Sequence, residues 1–269
     1  MKTRVITALV GVPILVAALV IRGVVADALI VALTLIALNE CYKALTAANY
    51  RVCTWGGYLA AAVMWPLSLF TGVLDPLLLV SAAMGISMLG VLLSKEPTFP
   101  NAAASVYPLF TCLLPFSMFM MMHSTMYGRV PGIALITMAF GIAYGCDILA
   151  YLGGRAFGRH KLCPTVSPKK TVEGAVSGLL GGVLFALLVR AFFVHGFDTP
   201  MPGIPAAILL GVLGSVAGQV GDLTASMLKR YSGIKDYGKL FPGHGGVMDR
   251  FDSVLFTLIV MYCYTLVLH

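Results

Sequence analysis

Charge is what this sequence lacks most. Only 11% of its 269 residues are Asp, Glu, Lys or Arg, against 59% hydrophobic, and the mean hydropathy is +0.94. A soluble globular domain carries about 25% charged residues, so a water-soluble fold is excluded and an integral membrane protein is expected. Paired cysteines are missing too. The six cysteines (Cys41, Cys53, Cys112, Cys146, Cys163 and Cys263) are scattered with no C-x-x-C spacing. That argues for buried small hydrophobes and against a zinc site or disulfide framework. No composition shift or linker divides the chain. The expectation is a single membrane domain over 1–269, with 1–140 as an N-terminal helical region and 141–269 carrying the functional helices and loops. Period-2 alternation is also absent, which favours helices over barrel strands.

Only helices or closed barrels satisfy their backbone in lipid, and a helix needs about 20 apolar residues to cross. The apolar runs predict an all-α polytopic bundle of about nine transmembrane helices, at roughly 5–21, 24–47, 55–73, 76–93, 101–123, 130–153, 171–195, 203–225 and 248–267. The first could pass for a signal peptide, with Ala26-Asp27-Ala28 as a loose cleavage site. Its apolar length and the many spans that follow favour an uncleaved first helix. Leu74-Asp75 must form a tight turn, and the methionines Met118, Met120, Met121 and Met122 read as packing groups rather than a metal site.

The net charge of +7 could suggest nucleic acid, but its distribution reads as topology. With the N-terminus inside, starting from Lys2 and Arg4, every Lys and Arg except Arg22, Arg129 and Arg190 falls on the cytoplasmic side. Loops 154–170 and 226–247 are then cytoplasmic and His269 faces out. The expected location is a plasma membrane, crossed several times, with the N-terminus inside.

Against this background the stretch 226–252 stands out: Ser226, Lys229, Arg230, Lys235, Asp236, Pro242-Gly-His244-Gly245-Gly246, Asp249, Arg250 and Asp252. Of eleven carboxylates, Asp147, Glu173, Asp222, Asp236, Asp249 and Asp252 fall at the inner ends of the last four helices. Ionisable groups within spans are expensive, and a functional role is the default expectation. Asp222 sits at the inner end of the eighth span. Asp249 and Asp252 are three apart at the start of the ninth, hence on one helical face. Hard carboxylate oxygens suit Mg²⁺, which keeps waters and shares its remaining positions with phosphates. The plainer alternative is that Asp249 and Asp252 favour a helix N-terminus and pair with Arg250 or Lys229. The glycines around His244 allow backbone amides to approach a phosphate. The segment Ser167-Pro-Lys-Lys170-Thr-Val-Glu173, ending where a helix begins, suits polyphosphate. A Walker A loop is absent, so a nucleotide would be held in another way.

The pattern Ser226-x-x-Lys229-Arg230-x4-Lys235-Asp236-x5-Pro242-Gly-His244-Gly245-Gly246-x-x-Asp249-Arg250-x-Asp252 resembles the signature of the phosphatidate cytidylyltransferase, or CDP-diacylglycerol synthase, family. Asp147-x-x-Ala-Tyr and Ser167-Pro-x-Lys170-Thr-x-Glu173-Gly are similar to that family as well. Two departures are Ala225, where members commonly carry Glu, and Val172, where they often carry Trp. The resemblance implies that CTP and phosphatidic acid give CDP-diacylglycerol and pyrophosphate, with Mg²⁺ required and K⁺ a candidate second metal. It implies Asp222, Asp249 and Asp252 as metal ligands, with Asp222, Lys229, Asp249 and Arg250 as the catalytic set. Substrate contacts would come from Asp147, Ser167, Lys170, Glu173, Ser226, Arg230, Lys235, Asp236, His244, Gly245 and Gly246. The partners are then these substrates and membrane lipid, with a homodimer as a candidate assembly and no nucleic acid. The alternatives are a CTP-dependent transferase or kinase acting on another lipid, and a cation transporter using the acidic cluster.

Overall fold

The computed structural model describes residues 23–71, 75–127, 130–241, 243 and 245–267, without side chains at 68–71, 124 and 126–127. The expected first helix at 5–21 lies outside the described residues, as do Lys2, Arg4, Arg22, Leu74, Arg129, Pro242, His244 and His269. The helices are α1 (Val24–Ala47), α2 (Trp55–Thr71), α3 (Pro76–Leu92), α4 (Phe99–Pro108), α5 (Leu114–Ser124), α6 (Gly132–Phe157), α7 (Val172–Phe197), α8 (Ile204–Tyr231) and α9 (Met248–Thr265). A π-turn, Leu109–Leu113, joins α4 to α5 just after Pro108, whose ring and missing N–H disturb the regular ladder. Two short antiparallel hairpins complete the set: β1 (Met126–Tyr127) with β2 (Val130–Pro131), and β3 (Lys161–Cys163) with β4 (Ser167–Thr171).

Among the described residues, five segments are long and apolar enough to cross a membrane: α1, the continuous run Phe99–His123, α6, α7 and α8. Helices α2 and α3 have 17 residues each and α9 has 18. At about 1.5 Å per residue, 17 residues fall slightly short of a hydrocarbon core about 30 Å thick. The chain is an all-α polytopic membrane protein. Local chemistry starts its helices where expected. Asp75 caps α3, accepting from the amides of Leu77 (2.8 Å) and Leu78 (3.2 Å), with Pro76 in the first turn. Thr171 caps α7 by accepting from Gly174 N at 3.1 Å.

Helix α8 extends to Tyr231, past the boundary near 225 that the apolar run predicted. Ser226, Lys229 and Arg230 are therefore helical rather than part of a loop. Met227 to Tyr231 contains no helix breaker, and buried Leu228 gives this polar end something to pack. Arg155 is likewise on α6, not in the loop that follows it.

The packing separates into two compact units. The first comprises 23–121 with Leu228–Phe251, and the second Met122–Met227 with 252–267. In the first, α2 meets α3 where Gly56 lies against Ala83 and Ser87. Phe116 and Phe251 rings pack at 5.9 Å. In the second, α6 and α7 approach through small residues: a Cβ on Gly181 would meet the carbonyl of Gly145. Gly182 meets α8 at Gly211 and Ser215, and Gly214 and Gly218 admit Thr257 and Ser253 of α9. Small residues at such crossings let helix backbones close up within lipid.

Candidate active site

In the second unit, Lys170 on β4 forms an ion pair with Asp222 on α8. The hairpin makes this possible because β4 runs straight into the Thr171 cap of α7, which fixes Lys170 beside the helices. Ser226 Oγ, one turn after Asp222, donates to its other oxygen at 3.3 Å. Asp147 on α6 interacts electrostatically with both Asp222 and Lys170. One lysine thus faces two carboxyl groups. The Asp222 and Lys170 side chains are 24% and 29% exposed, so the ion pair is open to a ligand. Asp252 accepts the amide of Ser253 at 2.8 Å.

Glu173, in the first turn of α7, turns towards the start of the hairpin. It accepts from Arg159 N (3.1 Å) and His160 N (3.2 Å) and pairs with His160 Nδ1 (2.7 Å). These bonds brace the loop before β3, so Glu173 orders the hairpin that carries Lys170. Ser167 is the β4 partner of Cys163.

In the first unit, Lys229 Nζ meets Asp249 Oδ1 at 2.8 Å, with the two side chains 13% and 3% exposed. The second oxygen of Asp249 accepts from Tyr237 N (2.7 Å) and Gly246 N (2.9 Å). Lys229 also lies 5.4 Å above the Tyr237 ring, a cation–π distance. Burial pushes the Tyr237 phenol far above its usual range, so it stays neutral. Phe241 N donates to Gly245 O at 2.9 Å. Gly245 has φ +85°, which only glycine adopts without strain, and Asp249 fills the space a Cβ would need. Arg230, Lys235, Asp236 and Arg250 are exposed around this core.

Glu40 belongs to none of the polar motifs of the sequence. It sits on apolar α1, is 5% exposed, and accepts from Val247 N (3.1 Å) and Met248 N (2.9 Å). Its one sequence signal is being an ionisable residue inside an apolar span.

The donor set bears on a metal. Among the described residues, no three His, Cys, Asp or Glu side chains converge to hold an ion. Asp222 and Asp147 fit Mg²⁺ in the usual manner for that ion, one or two carboxylates with phosphates and water completing the shell. Both aspartates already have partners on their oxygens, but Asp249 fits less well because its side chain is enclosed, held by a lysine and two buried amides, whereas Asp222 is partly open.

The sequence model of the Cytidylyltransferase family matches residues 2–268. The chain belongs to the cytidylyltransferase family. Within that family it is 33% identical to the phosphatidate cytidylyltransferase of Staphylococcus haemolyticus over 262 residues, 96% of each chain. It is 43% identical to the protein of the same name from Staphylococcus epidermidis over 130 residues, 48% of each, so this match spans about half of that relative. It is 33% identical to phosphatidate cytidylyltransferase 5, chloroplastic, of Arabidopsis thaliana over 80% of this chain and 56% of that one. The lysine–carboxylate groups therefore belong to a family whose name denotes transfer of a cytidylyl group.

Proposed function

We propose that this chain transfers the cytidylyl group of CTP to phosphatidic acid, releasing pyrophosphate and leaving CDP-diacylglycerol in the membrane. The observation that carries this reading is the Lys170–Asp222 pair with Asp147 beside it, a pair open to a ligand on otherwise apolar helices of a cytidylyltransferase-family chain. A phosphate oxygen of the lipid attacks the α-phosphorus of CTP as the bond to the β-phosphate oxygen breaks. The lipid phosphate is already anionic near neutral pH, so no strong base is required. The obstacle is repulsion between two anions, and catalysis consists of charge neutralisation and in-line positioning.

In this reading Asp222, with Asp147 beside it, would hold Mg²⁺, which would supply charge neutralisation at the CTP phosphates. A K⁺ companion would draw on the same carboxylates. Lys170 would supply positive charge to phosphate beside these carboxylates, and within the other unit Lys229, with exposed Arg230, Lys235 and Arg250, would form a separate group of cations for phosphate. Asp249 is assigned to orienting Lys229 rather than to the metal. The charge distribution supports the cytoplasmic side of the membrane for these groups, where water-soluble CTP is available while the acyl chains stay in lipid; the staphylococcal relatives support a bacterial inner membrane.

The test is a substrate panel with purified protein: phosphatidate, a polyprenyl phosphate and diacylglycerol, each with CTP and with or without a chelator. The proposal expects product from phosphatidate alone, abolished by EDTA and restored by Mg²⁺. Preference for another acceptor would assign a different lipid substrate.

A further inference from the structure

A carboxylate in the middle of apolar packing ordinarily finds a cation. Glu40 instead takes two backbone amides, Oε1 from Val247 and Oε2 from Met248, residues 207 and 208 positions away. These amides lie at the start of α9, where helix N–H groups have no intrahelical acceptor and the helix dipole favours negative charge. Glu40 thus caps a helix from the far end of the sequence.

The surroundings are shaped to admit it. A Cβ on Gly238 or on Gly246 would collide with the Glu40 carboxyl group. Gly246 also donates to Asp249. Residues 246–249 are therefore gripped from two directions: Glu40 holds the amides of 247 and 248, while Asp249 holds those of 246 and 237. Asp249 in turn receives Lys229.

We propose that Glu40 is a positioning residue, which fixes the glycine loop and the start of α9 so that Asp249 can aim Lys229 at substrate phosphate. This rests on the cytidylyl-transfer reading for its catalytic consequence, but not for the hold itself. Gln at position 40 keeps the length yet can set an NH2 group against an amide donor; Asp keeps the charge one methylene short.

The experiment compares full-length wild type, Glu40→Gln, Glu40→Asp and the exposed-site control Glu96→Gln in detergent, by amide hydrogen exchange and steady-state kinetics. In Glu40→Gln, amides of 238–249 should exchange about tenfold faster or more while those of 254–262 keep their protection. Its kcat should fall about 10–100-fold, further than KM rises, as expected for a misplaced catalytic group. Glu40→Asp should recover part of both, and it carries the test if the Gln variant does not fold. Unchanged exchange at 238–249, or equal loss of protection throughout the chain, would overturn the proposal. Loop-specific loosening in a protein whose wild type makes no CDP-lipid would uphold the hold by Glu40 and sink the functional reading.

Discussion

At the scale of single residues, Asp222 and Asp249 carry the same chemistry into different surroundings. Asp222 is partly exposed and held by Lys170 and Ser226. Asp249 is enclosed and accepts from one lysine and two amides. Asp222→Asn should therefore reduce cytidylyl transfer by at least about 100-fold with little change in thermal midpoint, the loss expected when a charge-stabilising group is removed. Asp249→Asn should lower activity and also destabilise the fold by about 3 kcal/mol, because it leaves Lys229 without its partner. Thermal unfolding in detergent alongside turnover separates the two; equal midpoints for both variants would contradict the distinction. Both aspartates were legible as polar exceptions in an apolar chain. Their division of labour was not, because it depends on the amides of Tyr237 and Gly246, which no side-chain pattern encodes. Glu40 was missed for the same reason: its partners are backbone groups 207 and 208 residues away.

At the scale of elements, hydropathy located the helices among the described residues well because lipid leaves the backbone few other options. It placed the end of α8 too early, since Lys229 and Arg230 break an apolar run without breaking a helix. The β3–β4 hairpin was invisible to periodicity, being short and largely polar, yet it delivers Lys170 to Asp222. The glycines on α6 and α7 have a positional meaning that spacing alone did not give. Gly181→Ala would press a methyl group on the Gly145 carbonyl and on Leu149 Cβ (2.9 Å), whereas a Cβ on Gly85 meets nothing within 4 Å. Gly181→Ala should cost about 1–3 kcal/mol and Gly85→Ala little, compared by thermal midpoint in detergent. A neutral Gly181→Ala would mean that the two helices have room to spare.

At the scale of the whole molecule, the topology predicted from the positive charges can be tested by labelling. Cys163 in the β3–β4 hairpin and Asp198 after α7 flank one apolar helix of 26 residues. In a background without other cysteines, Cys163 should react with an impermeant maleimide only in inside-out vesicles, and an Asp198→Cys variant only in right-side-out ones. Labelling of both from the same side would remove α7 as a span. In the proposed cytidylyl transfer the nucleotide's α-phosphoryl group, not its γ-phosphoryl group, is joined to the lipid. The most direct measurement gives purified protein phosphatidate with Mg²⁺ and CTP labelled at either the α- or the γ-phosphate. Cytidylyl transfer predicts lipid label from α-labelled CTP only, with the γ-label recovered as pyrophosphate; γ-label in the lipid would make the protein a kinase and rule cytidylyl transfer out.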